Sequence, residues 1–378
     1  MPPLLNATLI PIGILQTLAR NVPVAERTGP GILLEVSEER ASLSTLSLSF
    51  EMTLDAELVA VKVPGRVCLP WARVLGLLRL PRASVLRIVA SAGARSRIRT
   101  EVSHGSTRIA WTDEPSVVRC SDAPLGDPSV RFEVPEFVLV ESLRAVRPSV
   151  CEDPTREKLC GVFFEGTDRD PHVVATNGHT LAHDTPPWDT RRRPTDLGDP
   201  KALLPARLCD ALCKRTLRPS TARVVVVTGT PVPGDTDSWY WRAHTPTWSV
   251  GALGVAPGNF PSWRQVVPTV RAEGIRIQAA QLLAGLACLR CRTVALCLVN
   301  GVLEVMDADD PENDIAVTCA SVRAPDFKIR VRLSYLRNAV VSLRQHSPVL
   351  ELCVETSLDP ILLRAGEDRY VLIMPMRQ

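Results

Sequence analysis

Residues 370–378, YVLIMPMRQ, end the chain with an apolar strand pattern that breaks at Pro375 and continues into Met376 and Arg377. Methionine side chains are flexible and adapt to irregular apolar partners, and a surface patch of them indicates a binding site. A strand that finishes in Met374 and Met376 therefore predicts one wall of an apolar pocket.

Two internal stretches are candidates for the other wall of this pocket. TNGHTL, residues 176–181, follows the strand pattern VVAT and contains an Asn-Gly pair, which predicts a tight turn. FPSWRQVVP, residues 260–268, combines aromatic and apolar residues with two prolines. We expect one or both stretches to lie beside the C-terminal tail.

A threefold repeat organises the rest of the chain, with a period of about 130 residues. Each unit has a helical pattern, two strand patterns, a second helical pattern and further strands. The helical windows are residues 12–20, 70–82, 138–147, 204–218, 280–292 and 332–344. This order predicts an α+β fold in which two helices of each domain pack on an antiparallel sheet. We predict domains at residues 1–127, 128–270 and 271–378, with sheets that can continue across domain borders by edge pairing.

Composition fits an ordinary globular chain. With 378 residues and 45% hydrophobic residues, the chain can bury several cores. Eleven cysteines without disulfide-like spacing favour a reducing compartment, so we expect a cytoplasmic protein. The N-terminus lacks the basic region of a signal peptide, and no apolar run reaches the ~20 residues of a membrane span.

Positive charge is concentrated in the helical windows. Together they carry +13, which leaves −10 for the remainder of a chain whose net charge is +3. Such segregation is expected where helices face a polyanion, although solvated basic helix faces are also common.

These motifs resemble a known family. The C-terminal MPMR, the central pattern T-[DN]-G-H-x-L and the pattern F-P-x-[YW]-R-x-V-x-P are similar to those of the bacterial sliding clamp, the β subunit of the replicative DNA polymerase. The resemblance covers the whole chain in order and indicates a divergent member. It implies a ring of two identical chains, head to tail, with helices lining the hole and no catalytic site or cofactor. The implied partners are duplex DNA held without sequence readout, the polymerase, the clamp loader and other proteins with clamp-binding peptides, and no membrane.

The resemblance also assigns residues by motif position. The implied peptide pocket comprises Leu159, Thr176, Gly178, His179, Thr180, Leu181, Pro261, Gln265, Val266, Leu372, Met374, Pro375, Met376 and Arg377. Three residues depart from the family pattern, namely Thr180 and Gln265 where arginine is common and Gln378 where a small or apolar residue is usual. The implied DNA contacts are Arg27, Arg156, Lys158 and Arg207, and helix position and charge add Arg73, Arg144, Lys214, Arg215 and Arg337. The third domain's first helix is shorter than the resemblance implies, and Ile109 and Trp111 are the implied apolar residues of the dimer interface.

Other functions find little support in the sequence. Gly229, Gly234 and Thr236 have P-loop spacing, but Asp235 occupies the lysine position, so we predict a turn. Cys288 and Cys291 form a single C-x-x-C pair without a second pair at zinc-finger spacing. A metal-dependent hydrolase built on the histidines around His179 or the carboxylates around Asp307 is one alternative, and a monomeric peptide-binding paralogue is another. We expect neither a metal site nor a catalytic constellation.

Overall fold

The computed structural model describes residues 3–10, 12–22, 27, 31–47, 49–81, 84–92, 97–113, 127–167, 170–187, 201–214, 223–268, 274–299, 302–308, 310, 314–318 and 327–376. The chain divides into two compact units. Unit 1 comprises Met1–Glu136 and Arg207–Ala256, and unit 2 comprises Phe137–Ala206 and Pro257–Gln378.

Strands and helices are numbered in chain order. The strands are β1 (Pro3–Ile10), β2 (Gly31–Val36), β3 (Ala41–Leu46), β4 (Phe50–Val63), β5 (Gly65–Leu69), β6 (Leu86–Ala92), β7 (Ile98–His104), β8 (Thr107–Asp113), β9 (Val130–Pro135), β10 (Gly161–Thr167), β11 (Asp170–Thr176), β12 (Thr180–Asp184), β13 (Ala202–Pro205), β14 (Val224–Val232), β15 (Asp235–Thr245), β16 (Trp248–Val255), β17 (Ile275–Gln278), β18 (Thr293–Val299), β19 (Val302–Asp307), β20 (Asp314–Thr318), β21 (Phe327–Arg332), β22 (Val349–Cys353), β23 (Ile361–Arg364) and β24 (Arg369–Ile373). The helices are α1 (Gly13–Asn21), α2 (Trp71–Leu77), α3 (Glu136–Val146), α4 (Ala206–Cys213), α5 (Ala279–Cys288) and α6 (Leu333–Leu343).

The order of these elements confirms the threefold repeat. Each repeat consists of one strand, a helix, four strands, a second helix and three strands, and the repeats begin with β1, β9 and β17. The strands pair antiparallel throughout the described chain. The predicted α+β class is therefore confirmed.

Unit 1 contains one sheet of twelve strands. Its main path is β8-β7-β6-β1-β4-β16-β15-β14-β9, and β2, β3 and β5 branch from it. Along β6 the side chains of Leu86, Ile88 and Ala90 are buried while alternate residues are more exposed, which is the pattern of a strand with one covered face. Beside this sheet α1 buries Leu15 and Leu18, and the Gln16 side-chain amide donates hydrogen bonds to two carbonyls in the turn after α2.

Unit 2 contains a sheet of eight strands and a sheet of four. Their orders are β13-β10-β11-β12-β24-β23-β22-β17 and β20-β19-β18-β21. Helix α6 buries Leu336, Val340 and Leu343, and α5 buries Leu282 and Leu286, each at helical spacing. The two helices pack together and cover the apolar core of the third repeat.

Both sheet junctions within the units join different repeats. In unit 1, β4 of the first repeat pairs with β16 of the second, with Val250 opposite Met52. In unit 2, β12 of the second repeat pairs with β24 of the third, with Leu181 opposite Leu372. The same edge pairing that the sequence predicted across domain borders is thus found twice.

Several predicted helical windows were too long. Helix α2 ends at Leu77 instead of residue 82, because Pro81 disfavours helical conformation in the residue before it. Helix α5 ends at Cys288 instead of residue 292, because Leu289 is extended and buried and pairing of β18 with β21 starts at Thr293. Helix α4 ends at Cys213, and residues 215–218 of its window lie outside the described residues.

None of the helices in the described ranges combines the length and apolarity that crossing a membrane requires.

Candidate functional site

The TNGHT turn in unit 2 has the tight geometry that its sequence predicts. Gly178 has φ +85°, a left-handed conformation that glycine adopts without a steric penalty. The Asn177 Oδ1 accepts hydrogen bonds from the backbone N–H groups of His179 (2.9 Å) and Thr180 (2.8 Å). The Thr176 hydroxyl donates to the Thr180 carbonyl at 2.7 Å. These bonds fix the backbone of the turn, so that His179 lies immediately before β12.

The C-terminal tail lies directly beside this turn. After β24 ends, the Met374 N–H donates to the His179 carbonyl at 2.8 Å, and the Met376 N–H donates to the Arg330 carbonyl at 2.8 Å. Met374 is 42% exposed and Met376 is 43% exposed. The tail is therefore fixed by its backbone while its methionine side chains remain at the surface.

The segment around Trp263 packs on one face of the β12–β24 pair. This is the face on which the side chains of Leu181 and Leu372 lie. Directly opposed residues of antiparallel strands share a face, as do residues two apart on one strand. His183 stacks on Tyr370 with ring centroids 4.5 Å apart, and Trp263 lies 5.1 Å from His183. Leu181 and Leu372, two residues away from His183 and Tyr370 on the same two strands, are buried on this face.

We call the surface formed by the turn 176–181, the segment 260–266 and the tail 370–376 the candidate groove. Its apolar surface residues are Val266, at 49% exposure, with Met374 and Met376, while Pro261 and Gln265 are also exposed. Three stretches distant in sequence thus lie in one part of unit 2, and the pocket that the sequence assigns to them stays a prediction.

A polar cluster anchors the segment 260–266 to β10. The indole N–H of Trp263 donates to a Glu165 carboxylate oxygen at 3.2 Å, and Arg264 and Lys201 pair with the same carboxylate. Burial by itself would raise the pKa of Glu165, but hydrogen bonds from Arg264 and Trp263 outweigh it, so the pKa lies below its usual value. Phe260 stacks on Phe163 at 4.6 Å beside this cluster.

Sequence reasoning missed three side chains near the turn. The ring of Tyr335, on α6, stacks on His179, and the Arg332 guanidinium lies 5.2 Å from the Tyr335 ring centroid. The Thr293 hydroxyl lies 3.7 Å from the Met376 sulfur. The signal available in the sequence was the rarity of tyrosine, of which the chain has three.

Thr180 occupies a different position from the groove surface. It is 5% exposed and shares a cavity with Ala145, Ser149 and Val371, on the face opposite Leu181 and Leu372. This cavity holds about 10 Å³, roughly the room that one water molecule requires. A long side chain at position 180 would therefore need its neighbours to move.

The predicted DNA-contacting cations of unit 2 differ in how they are held. Arg156 is exposed, and its Nη1 donates to the Asn177 carbonyl at 2.9 Å, which joins it to the TNGHT turn. Lys158 is exposed and precedes the buried Leu159. Arg144 pairs with Glu141 at 3.0 Å, and Arg337 donates to the Leu286 carbonyl at 2.8 Å.

The cations of unit 1 also divide into bound and exposed residues. Arg27 donates to the carbonyls of Ala19 (2.7 Å) and Val22, where it favourably meets the negative end of the α1 dipole. Arg73 on α2 and Lys214 after α4 are exposed, and Arg207 in the first turn of α4 is half-buried. Two of the predicted site residues, Arg215 and Arg377, lie outside the described residues, as does Gln378.

The predicted interface residues lie on β8. This strand pairs with β7 and stands at one end of the main path of the unit 1 sheet. Ile109 is 36% exposed, whereas Trp111 is 7% exposed and belongs to the core of the unit.

The motifs considered for enzymes have structural roles. Gly234 has φ +83° in the hairpin turn between β14 and β15, and Asp235 accepts hydrogen bonds from the backbone of Asp237 and Ser238. His183 bonds to His172, with 2.9 Å between their nitrogens. Within the described ranges, no group of three or more His, Cys, Asp or Glu residues is arranged to hold a metal ion.

Comparisons with known proteins support the resemblance. No family model matches the chain. The beta sliding clamp of Escherichia coli K12 is 23% identical over 358 residues, which cover 92% of this chain and 91% of that protein. A Pseudomonas aeruginosa sliding clamp solved with bound griselimycin has a TM-score of 0.77 and 20% identity, covering 99% of this chain and 100% of that one. A Thermotoga maritima DNA polymerase III β subunit has a TM-score of 0.77 at 15% identity, with the same coverage.

The fold is that of the sliding clamps. Over nearly its whole length the chain is similar to the beta sliding clamps, at 23% identity to the Escherichia coli protein.

Proposed function

We propose that the chain is a DNA sliding clamp, a non-enzymatic protein that encircles duplex DNA and tethers the replicative polymerase and other replication or repair proteins. The proposal assigns one domain to each repeat, at residues 1–127, 128–270 and 271–378. It also assigns a clamp loader, supplied by another protein, to open the ring. Three arguments support it.

The repeat symmetry of the strand pairing carries the proposal. In both units, the fourth strand of one repeat receives the eighth strand of the next, as β4 receives β16 and β12 receives β24. By the same rule, β20 is the fourth strand of the third repeat and β8 is the eighth strand of the first. Among the described strands, β20 pairs with β19 and β8 pairs with β7, so each keeps one open edge.

A second copy would complete this pattern. The β8 edge of one chain would add to the β20 edge of the other, and the reverse contact would close the assembly. Two chains of three repeats then form a closed ring, head to tail, with every repeat border bridged in the same way. Ile109, exposed on β8, would meet the partner at this border.

The helices supply the surface for DNA. Most of the +13 of the helical windows lies just beyond the helix ends, since the helices themselves carry +2. Arg73 on α2, Lys214 after α4 and Lys158 in the 3-10 segment are exposed. Such charges hold the phosphate backbone by counterion release and read no bases, which suits a protein that must slide. The proposal includes Arg27, Arg144, Arg156, Arg207, Arg215 and Arg337 in the same role.

The candidate groove would receive the partners' peptides. Exposed Val266, Met374 and Met376 offer apolar surface for leucine or aromatic anchors of a short linear peptide. The exposed His179 side chain of the TNGHT turn offers a polar contact that would fix the direction of the peptide. A single groove of this kind lets different enzymes compete for one clamp.

Retention on circular DNA tests the function. The protein would be loaded onto a nicked circular plasmid by a clamp loader, washed at high salt, and assayed before and after linearisation with a restriction enzyme. We expect retention on the circle and loss after cutting, because only a closed ring is held by topology. Equal retention on both forms would reject the ring, and retention on neither form at a loader concentration that loads a control clamp would reject the clamp function.

A further inference from the structure

Two cysteines of unit 2 lie next to each other in the fold. Cys151 and Cys160 flank the short 3-10 segment Pro154–Leu159, and the Cys151 N–H donates to the Leu159 carbonyl at 3.1 Å. Both thiols approach the Asp153 carbonyl oxygen, at 4.0 Å for the Cys151 sulfur and 3.1 Å for the Cys160 sulfur. Both cysteines are free.

This arrangement suits a disulfide. A backbone hydrogen bond from Cys151 to the residue before Cys160 brings the two α-carbons close to the about 4.4–6.8 Å separation that a disulfide spans. The two sulfurs already share one carbonyl oxygen as a contact, so little backbone movement is needed to join them.

We propose that Cys151 and Cys160 form a redox modification site, in which a low-molecular-weight disulfide converts the two thiols into an intramolecular disulfide. The inference is independent of the proposed clamp function. It follows from the contacts of the two side chains and of the segment between them.

The chemistry is a pair of thiol–disulfide exchanges. The Cys160 thiolate attacks one sulfur of the small disulfide, the bond between its sulfurs breaks, and one small thiolate leaves. The Cys151 thiolate then attacks the Cys160 sulfur of this mixed disulfide and expels the second small thiolate. Two electrons pass to the small disulfide, and the protons lost by the two cysteines are taken up by the two leaving thiolates.

Exposure and acidity set the order and rate of these steps. Cys151 is 5% exposed while Cys160 is half-buried, so a small disulfide reaches Cys160 first. Burial, followed by the proximity of Cys151 and the carboxylates of Asp153 and Glu157, raises the pKa of Cys160 to about 11. Because only the thiolate attacks, oxidation at neutral pH is slow, and its rate rises about tenfold for each unit by which the pH increases toward that value.

The disulfide would restrain a functional part of the surface. The enclosed segment carries Arg156 and Lys158, and Arg156 is bonded to the Asn177 carbonyl of the TNGHT turn. Closing this short loop removes local openings of the 3-10 segment. Amide hydrogen exchange of residues 155–159 should therefore slow by about tenfold or more on oxidation.

Peptide mapping tests the proposal on the full-length protein. The reduced chain would be incubated with excess oxidised glutathione at pH 7, 8 and 9, then alkylated, digested and examined by mass spectrometry. We expect a peptide pair linked through Cys151 and Cys160, two hydrogens lighter than the reduced pair, forming about tenfold faster per pH unit. Cys160→Ser should abolish the link and the slower exchange, and Cys288→Ser should change neither, since Cys288 is an exposed cysteine outside this pair.

Two results would overturn the proposal. One is glutathione attached to Cys160 without a link to Cys151, because the second exchange would then fail. The other is an unmodified Cys160 at pH 9 in samples where Cys288 has reacted, because the oxidant was then active but the pair inert.

Discussion

The imidazole ring of His179 stacks on the phenol ring of Tyr335, with centroids 5.8 Å apart and planes 19° from parallel. His179 belongs to the turn of the second repeat, and Tyr335 lies on α6 of the third. The Tyr335 hydroxyl also accepts a hydrogen bond from Arg332 at 3.1 Å. This stack joins the two repeats beside the candidate groove and connects the TNGHT turn to the position of α6.

Removing the Tyr335 ring should weaken peptide binding. We expect Tyr335→Ala to lower the affinity for a consensus clamp-binding peptide by about 5- to 30-fold, roughly 1–2 kcal/mol, because His179 loses its stacking partner. Tyr335→Phe keeps the ring and should bind within about twofold of wild type. Fluorescence anisotropy with a labelled peptide measures both, and an Ala variant with unchanged affinity would place His179 outside the binding surface.

Substitution should be tolerated less well at Gly178 than at Gly234, a glycine with nearly the same backbone conformation. Gly178 and Gly234 have φ +85° and +83°, so Ala at either position is strained by about 1 kcal/mol. A Cβ at Gly178 would lie 2.6 Å from an Arg156 nitrogen, whereas one at Gly234 meets nothing within 4 Å. We expect Gly178→Ala to weaken peptide binding and loosen Arg156, and Gly234→Ala to leave binding unchanged. Equal binding by the two variants would show that the Arg156 contact has no role in the groove.

The sequence predicted those features that depend on local patterns. An Asn-Gly pair after a strand indicates a turn, and an apolar run that ends at Pro375 indicates where β24 stops, so both were found at the expected places. The repeat was visible in the sequence because apolar residues recur at helical spacing in the helices and alternate in the strands. The ends of α2 and α5 were missed. Helix α2 stops before Pro81, a local signal that the window overlooked, and α5 stops where pairing of β18 with β21 is about to start.

Contacts between distant segments could not be predicted in the same way. Nothing near Tyr335 in the sequence indicates that its ring meets His179, because that contact requires β12 to pair with β24 and α6 to cover the pair. The position of Thr180 depends on strand parity, and its register with Ile373 turns its side chain away from the groove.

Glu165 should stabilise the segment 260–266 in a pH-dependent way. Its folded pKa lies below the usual 4.5, so its contribution is present above the unfolded pKa and is lost as the pH falls through the folded pKa. At pH 7, Glu165→Gln should therefore speed amide exchange in residues 260–266, and the difference from wild type should shrink below about pH 4. Glu133→Gln, which removes a surface partner of Arg131, serves as the control. A difference that persists at low pH would assign the effect to packing and not to charge.

The open edge of β8 should hold the dimer. In a two-residue hairpin the pair that flanks the loop, here His104 and Thr107, is hydrogen-bonded, and the pairs alternate from there. The N–H of Ala110 therefore points away from β7, so Ala110→Pro removes a bond to the partner chain without disturbing the unit. We expect this variant to be a monomer in sedimentation experiments, and Ala110→Val to remain a dimer.

Controls for this prediction use Ile109 and Trp111 on β8, together with Leu358, which lies outside this strand. Ile109→Asp, at an exposed position, should also shift the protein to monomer, and Leu358→Asp, at the most exposed large apolar residue described, should not. Trp111→Ala should dissociate the dimer as the sequence predicted, but with a lower melting temperature, because Trp111 is buried in the unit. A dimeric Ala110→Pro protein would rule out β8 as the interface.

The last prediction concerns partner selection through Gln265 and Thr180, which replace the arginines common in the family. Gln265 is exposed beside Val266, so Gln265→Arg can extend its methylenes over apolar surface and present its fork of donors to a peptide. We expect it to tighten consensus-peptide binding by about tenfold, roughly 1.4 kcal/mol, and Gln265→Lys to tighten it less, because lysine lacks the planar fork.

Thr180→Arg should behave differently, because Thr180 is 5% exposed and its cavity holds about 10 Å³. The larger side chain must displace α6 or the turn, so this variant should lower the melting temperature, and adding it to Gln265→Arg should bring no further gain in affinity. Isothermal titration of one peptide against wild type, both single variants and the double variant separates these effects. If Gln265→Arg binds no tighter than wild type, the substitution at position 265 does not set affinity. If Thr180→Arg binds tighter without loss of stability, the side chain at position 180 reaches the groove, and both positions then set the affinity for the peptide.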